Sequence, residues 1–180
     1  MRFGPGLSPD GSVEAGIATD SRVFFFNREG KLLWTRTLSQ PQQIQGVYLN
    51  ATGLHVRHMN EYLVFTTGNT YNRANWQLPT PVEHPQSNSV YLFDRAGQLI
   101  KRRKMGGMLD QMAVTRQNLV VAVGRNMRTK DVGVHGMFVL SVPNLELLDA
   151  MPTEGPCAAI AASQDARLLV ALESPLQLDS

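Results

Sequence analysis

One strand–turn–strand pattern occurs twice in the chain, at 23–34 and at 90–101, and it constrains the fold more than any other feature. In each copy an apolar stretch leads into Asn27 or Asp94, and a Gly follows three residues later, at Gly30 and Gly97. Such a Gly supplies the positive φ that a tight hairpin turn requires. A third, less similar copy lies at 137–148 and places Asn144 at the position of the Gly. Internal repetition of a hairpin predicts stacked β units.

The remaining apolar stretches are also typical of strands. They are short, rich in Val, Leu and Phe, and bounded by Gly, Pro, Asn, Asp or Ser, with little sign of helical periodicity. Polar turns at 7–13, 114–120 and 162–168 open the first, third and fourth units. The predicted strands are 13–18, 23–26, 31–36, 44–49, 61–67, 89–93, 98–103, 111–114, 119–123, 136–141, 146–150, 158–162 and 168–172.

Two stretches of the first unit resemble β-propeller repeat families. The Ser-Pro-Asp-Gly turn at 8–11 looks like those of WD40 and TolB-like blades, and the stretch from Asn27 to Trp34 is similar to quinoprotein (PQQ)-like repeats. The resemblance covers nearly the whole chain, and the first unit matches best. It implies four-stranded antiparallel blades around an axis, but it implies no function, because such folds host many.

We therefore predict an all-β fold with propeller-type four-stranded blades in a single domain, 1–180. The predicted blades are 3–38, 43–105 with an insertion at 68–88, 108–151 and 156–180. Closed propellers have about four to eight blades, so a count of about 3.5 to 4 predicts an array that is incomplete or is closed by a partner. An open array exposes a sheet edge and an apolar face. Proteins normally cover such surfaces. A homo-oligomer, a partner subunit and a longer parent protein would each cover them.

The insertion at 68–88 is the first candidate site. Long loops in compact domains are often functional, and Tyr71, Arg73 and Trp76 are of the types that anchor protein interfaces. Together with His84 they form the predicted partner-binding loop. The alternative is a neutral insertion whose Trp76 caps the neighbouring blade.

The basic run Lys101, Arg102, Arg103 and Lys104 is the second candidate site. It falls where the outermost strand of a blade is expected, and cations on such an edge prevent edge-to-edge pairing. Nucleic-acid or anionic-lipid binding is the alternative. No aromatic residues alternate with these cations to stack on bases, so edge protection is favoured.

No motif for catalysis, metal binding or cofactor binding is apparent. His55 and His58 have no other ligand type at metal-binding spacing, and we expect them in solvent-facing turns. Cys157 is the only cysteine, so no internal disulfide forms, and we expect a buried thiol. The quinoprotein resemblance implies a quinone with calcium. Lys101 replaces Trp34 in the second copy and the chain is short for such an enzyme, so we predict no cofactor and no enzymatic activity.

Composition sets further bounds. The net charge of +2 does not indicate a nucleic-acid or lipid partner. No apolar run is long enough to span a bilayer, although contact with a membrane complex stays open. With one cysteine and no visible signal peptide, we predict a cytoplasmic protein, with periplasmic and extracellular sites as alternatives.

The function predicted from the sequence is a non-catalytic interaction or scaffold module, such as an accessory subunit of a larger assembly. Two alternatives remain: a fragment of an enzyme-associated propeller whose catalytic parts lie elsewhere, and a propeller that binds a small ligand.

Overall fold

A computed structural model describes residues 6–7, 13–17, 21–69, 73–79, 82–124 and 135–173. The chain divides into two compact units, 1–104 and 105–180. Three four-stranded antiparallel sheets and two two-stranded sheets make up the described part. The Ser-Pro-Asp-Gly turn at 8–11 lies outside the described residues.

The first unit contains two four-stranded sheets in which sequence neighbours pair. Sheet 1 consists of β1 (Gly6–Leu7), β2 (Val13–Ile17), β3 (Arg22–Asn27) and β4 (Leu32–Thr37). A separate hairpin follows, β5 (Gln42–Ile44) and β6 (Val47–Leu49). Sheet 2 consists of β7 (Ala51–Met59), β8 (Tyr62–Asn69), β9 (Ser89–Asp94) and β10 (Leu99–Lys104), with a short helix α1 (Arg73–Trp76) between β8 and β9.

The second unit contains sheet 3 and one hairpin. Sheet 3 is formed by β11 (Met108–Val114), β12 (Asn118–Gly124), β13 (Gly136–Ser141) and β14 (Leu147–Pro152). The hairpin pairs β15 (Cys157–Ala162) with β16 (Leu169–Glu173). Its face with Ile160, Ala162, Leu169 and Ala171 packs against Val120 and Val139 of sheet 3.

The predicted repeat is confirmed by its backbone geometry. The hairpins β3–β4 and β9–β10 have the same bonds: the Asn27 and Asp94 N–H groups donate to Lys31 O and Gln98 O, and Gly30 and Gly97 have φ near 80°. The side-chain oxygens of Asn27 and Asp94 accept from the N–H groups of Lys31 and Gln98, directly before the next strand, each at 2.8 Å. In the hairpins β3–β4, β9–β10 and β13–β14 the second strand carries a register shift near its start.

Burial differs between several inner strands and the last strand of each four-stranded sheet. The inner strands β8, β9 and β12 are buried almost throughout, whereas β4, β10 and β14 are mostly exposed. These three strands are therefore covered on both faces, which explains why they are nearly continuous apolar runs in the sequence. Trp34 packs against the core between sheets 1 and 2. This core consists of Val23, Phe25, Leu38, Val56, Leu63, Phe65, Tyr91 and Phe93.

Three local expectations are wrong. The strand predicted at 44–49 is instead the hairpin β5–β6, because Gln45 and Gly46 both have positive φ and form a tight turn. In the third copy the left-handed residue is Leu145 (φ 55°), since this turn is one residue longer; Asn144 does not replace the Gly. His55 and His58 lie in the unpredicted strand β7, where His55 is half-buried and His58 is buried.

Candidate functional site: a groove in the first unit

A groove of about 480 Å³ lies between the hairpins β3–β4 and β9–β10. This volume is within the range of about 300–1,000 Å³ that ligand pockets occupy. The groove brings one residue from the predicted loop, Gln86, together with one residue of the predicted basic run, Arg102. Its lining residues are Arg36, Thr37, Leu38, Gln86, Tyr91, Phe93, Gly97, Gln98, Leu99 and Arg102.

Stacked aromatic rings support the floor of the groove. Trp34 stacks on Phe25 with ring centroids 4.7 Å apart, and it lies 6.0 Å from the ring of Phe93. Phe93 in turn stacks on Tyr91 at 6.4 Å. The indole Nε1 of Trp34 donates to the Arg95 carbonyl at 3.0 Å. Trp34 therefore joins the two hairpins and fixes one wall against the other.

Arg36 is held at the groove by three contacts. Its Nε donates to the Gly97 carbonyl at 2.8 Å, and Nη1 donates to the Thr35 carbonyl at 2.9 Å. Its Cζ lies 5.4 Å from the centre of the Trp34 ring, at a distance that allows a cation–π interaction. These hydrogen bonds use two of the five guanidinium N–H donors. The side chain is thereby ordered before any ligand binds.

Tyr91 and Arg102 interact on the other side of the groove. The Tyr91 hydroxyl lies 3.3 Å from both the Leu38 and the Gln86 carbonyl oxygens. Burial raises the pKa of Tyr91, while a hydrogen bond from Arg102 and its positive charge act in the opposite direction. The phenol stays protonated at neutral pH and links the loop residue Gln86 to the aromatic floor.

The electrostatics of the groove are one-sided. The described residues that line it include two arginines and neither Asp nor Glu. Apolar walls from Leu38, Phe93 and Leu99 lower the local dielectric, which strengthens any interaction of these arginines with an anion. The groove is therefore suited to a negatively charged group with an apolar neighbour.

The loop beside the groove is ordered around His84, which is fully buried. Its Nδ1 accepts from the Gln86 N–H at 3.1 Å, and Nε2 lies 2.9 Å from the Gln40 carbonyl oxygen. A neutral ring with its proton on Nε2 satisfies both partners. Burial lowers the pKa of His84, opposed by the Gln40 bond and assisted by the charge of Lys104. Predicted as a contact residue, His84 instead lies inside the loop and positions it.

Of the other predicted loop residues, the structure describes Arg73 and the backbone of Trp76. Arg73 is exposed on α1. The backbone of Trp76 ends α1, but its side chain is outside the described part of the chain, as is all of Tyr71. Arg73 is not among the residues that line the groove.

The basic run lies on β10, the edge strand of sheet 2, as predicted. Lys101, Arg102 and Lys104 are exposed and Arg103 is half-buried. Lys104 forms an ion pair with Glu83 at 3.3 Å and donates to the His84 carbonyl at 3.4 Å, so it ties β10 to the loop. Of the four cations, Arg102 lines the groove.

Sequence reasoning missed Arg36, Tyr91 and Gln98 as site residues. The available signal was the equivalence of the two hairpins: Trp34 projects toward the neighbouring copy, where Gly97 leaves room, and Arg36 is two residues further along the same face of β4. Within the described residues, no group of three His, Cys, Asp or Glu side chains could hold a metal ion. Cys157 is a buried thiol, as expected.

Comparisons with known proteins identify the fold. No protein-family model matches the chain, and no curated protein matches its sequence. Among solved structures, a chain in the crystal structure of a mitotic checkpoint complex matches with a TM-score of 0.65 at 15% identity. The match covers 94% of the present chain and 45% of that chain, so the present chain spans about half the length of this relative.

This likeness and the antiparallel four-stranded sheets show an all-β, propeller-like fold. In all, 490 chains match, so the fold is shared widely and does not specify a function. Within the described residues, the structure contains no helix with the length and apolar character needed to cross a membrane.

Proposed function

We propose that this chain is a non-catalytic protein-interaction module whose groove binds an extended segment of a partner protein. The observation that carries the proposal is the groove itself: apolar walls, two arginines and exposed polar groups at its rim lie between two repeated hairpins. Sites that bind peptides combine apolar pockets with a few placed polar groups in this way.

The environment of the groove supports a binding role. Loop 82–88 is fixed by hydrogen bonds and by the Lys104–Glu83 ion pair, so the wall that carries Gln86 is positioned before binding. A preformed site loses less conformational entropy when it binds its ligand. The similar chain was solved as part of a multi-component complex, which favours an interaction role for the present chain as well.

The test uses two matched variants of the full chain. Gln98→Trp fills the groove, whereas Lys31→Trp places the same ring at the equivalent position of the other hairpin, outside the groove lining. A display library of random peptides is selected against the immobilised native chain, and the enriched peptides are measured with both variants. Thermal unfolding of each variant provides the folding control.

We expect peptides whose affinity drops about tenfold or more in Gln98→Trp and stays within about twofold in Lys31→Trp. Enriched peptides that bind both variants equally, with both variants folded, would contradict a binding role for the groove.

A further inference from the structure

We infer that the groove selects acidic segments, and that an Asp or Glu carboxylate of the partner binds at Arg36 and Arg102. The inference rests on the proposed function and specifies the chemistry of the ligand. Its first support is the charge of the lining, which contains two guanidinium groups and no acidic side chain in the described residues.

The contrast between Arg102 and Lys104 is the second support. Lys104 belongs to the same run, but Glu83 neutralises it at 3.3 Å. Within the described residues, neither Arg36 nor Arg102 forms an ion pair with a carboxylate; their bonds go to carbonyl oxygens and to the Tyr91 hydroxyl. Lys104, which lies outside the groove, is paired with an acidic residue of the chain itself, whereas Arg36 and Arg102 inside it can bind a ligand carboxylate.

The order of Arg36 is the third support. Two hydrogen bonds and the Trp34 ring hold its guanidinium, which spares the rotamer entropy that an exposed arginine loses on binding. A carboxylate can accept two parallel N–H bonds from one guanidinium, and this arrangement gives both geometry and strength. Leu99, 48% exposed, offers an apolar surface beside the charge for a neighbouring side chain of the segment.

The experiment begins with peptides from the display selection whose binding depends on the groove. Each peptide is synthesised in three versions. The first is the selected sequence, the second has every Asp and Glu replaced by Asn and Gln, and the third has each acidic residue replaced by phosphoserine. Affinities for the full chain are measured by fluorescence anisotropy at about 0.05 M and about 0.5 M NaCl.

We expect the acidic peptides to lose about tenfold or more in affinity when neutralised, and to bind several-fold more weakly at the higher salt concentration. Arg102→Gln removes one guanidinium group and should weaken binding about tenfold. Because Arg102 is exposed, its replacement should leave the core intact. Lys101→Gln on the same strand, outside the groove lining, should change affinity less than about twofold. Arg36→Gln should act like Arg102→Gln, and Arg36→Lys should restore part of the loss.

Three outcomes would overturn the inference. If neutralised and acidic peptides bind the groove with equal affinity, the carboxylate is not the group that the groove recognises, and the proposed function is unaffected. Phosphoserine peptides that bind where the Asp and Glu peptides do not would assign the site to phosphate. Finding no peptide that distinguishes Gln98→Trp from Lys31→Trp would remove the proposed function as well.

Discussion

A Cβ atom added to Gly97 would lie 2.6 Å from Cδ2 of Trp34, so the turn of the second hairpin and the indole of the first fit together only because Gly97 has no side chain. The same Gly has a φ of 79°, which residues with a side chain rarely adopt. Gly97 thus meets two requirements: it closes its own turn, and it leaves room for the Trp34 ring that supports the groove floor.

Gly97→Ala should destabilise the chain more than Gly30→Ala. Gly30 has nearly the same φ, 77°, but no atom lies within 4 Å of its added Cβ. The backbone strain alone costs about 1 kcal/mol, and the contact with Trp34 raises the cost at Gly97 to about 2–4 kcal/mol. Urea unfolding of both variants measures the difference. Equal losses would show that Trp34 does not pack on this turn.

His84→Leu should destabilise the chain by about 2–4 kcal/mol. Leucine fills a similar volume but leaves the Gln40 carbonyl and the Gln86 N–H, both bonded to the imidazole, without their partner. Chemical unfolding at pH 7 measures the effect. A loss below about 0.5 kcal/mol would mean that the loop does not depend on this ring.

The same histidine should make stability depend on pH. Because burial lowers the pKa of His84 in the folded chain, the unfolded chain binds more protons. This contribution to stability is present above the usual pKa of 6.5 and is lost as the pH falls through the folded-state value. Unfolding free energies at several pH values should show this loss in the native chain and not in His84→Leu. Parallel curves for the two proteins would contradict it.

Asp110→Asn should stabilise the chain at neutral pH. Burial raises the pKa of Asp110 from 3.8 to about 6, so the folded chain binds the proton more tightly than the unfolded chain. Stability from this group is present below pH 3.8 and is lost as the pH rises through about 6. We expect a gain of about 1–3 kcal/mol at pH 7 that vanishes near pH 4.

The repeat supports this prediction. Asp110 lies at the register shift of β11, the position that Leu54 occupies in β7, and each packs over a glycine of the next strand, Gly124 and Gly68 respectively. An apolar residue is therefore accommodated at the equivalent site in sheet 2. A loss of stability in Asp110→Asn at pH 7 would contradict the prediction.

Ile160→Ala should cost about 1–3 kcal/mol, because Ile160 packs against the core of the second unit. Val170→Ala on the opposite face of the same hairpin should change stability by less than about 0.5 kcal/mol, since Val170 is 52% exposed. Thermal or urea unfolding compares the two. A larger loss at Val170 would mean that the face with Val170, and not the face with Ile160, packs against sheet 3.

Much of the fold could be predicted from local patterns. The Asn or Asp with Gly three residues later fixes the turns of β3–β4 and β9–β10 through backbone geometry, and strand-forming runs place most of the remaining elements. β7 was missed because its Gly, His, Arg and Thr residues lack a clear apolar alternation. The β5–β6 turn was missed because Gln45 is an unusual residue for a left-handed turn position.

The site was harder to predict because it depends on contacts between residues far apart in sequence. Arg36 bonds to Gly97, and Tyr91 to Leu38, across sequence separations of 61 and 53 residues. The basic run pointed to Arg102 and the long insertion pointed to the loop, but the reasons that His84 is buried and Arg102 faces a groove lie in how sheets 1 and 2 pack. Patterns of neighbouring residues contain no information on how two sheets pack against each other.

The most direct test is a proton NOE measurement between Trp34 and Gly97 in the labelled full chain. If the two hairpins pack as described, the α-protons of Gly97 show cross-peaks to the indole ring protons and are shifted by the ring current. Absence of these cross-peaks, with the Gly97 protons at unperturbed positions, would contradict the packing of sheets 1 and 2 and, with it, the groove.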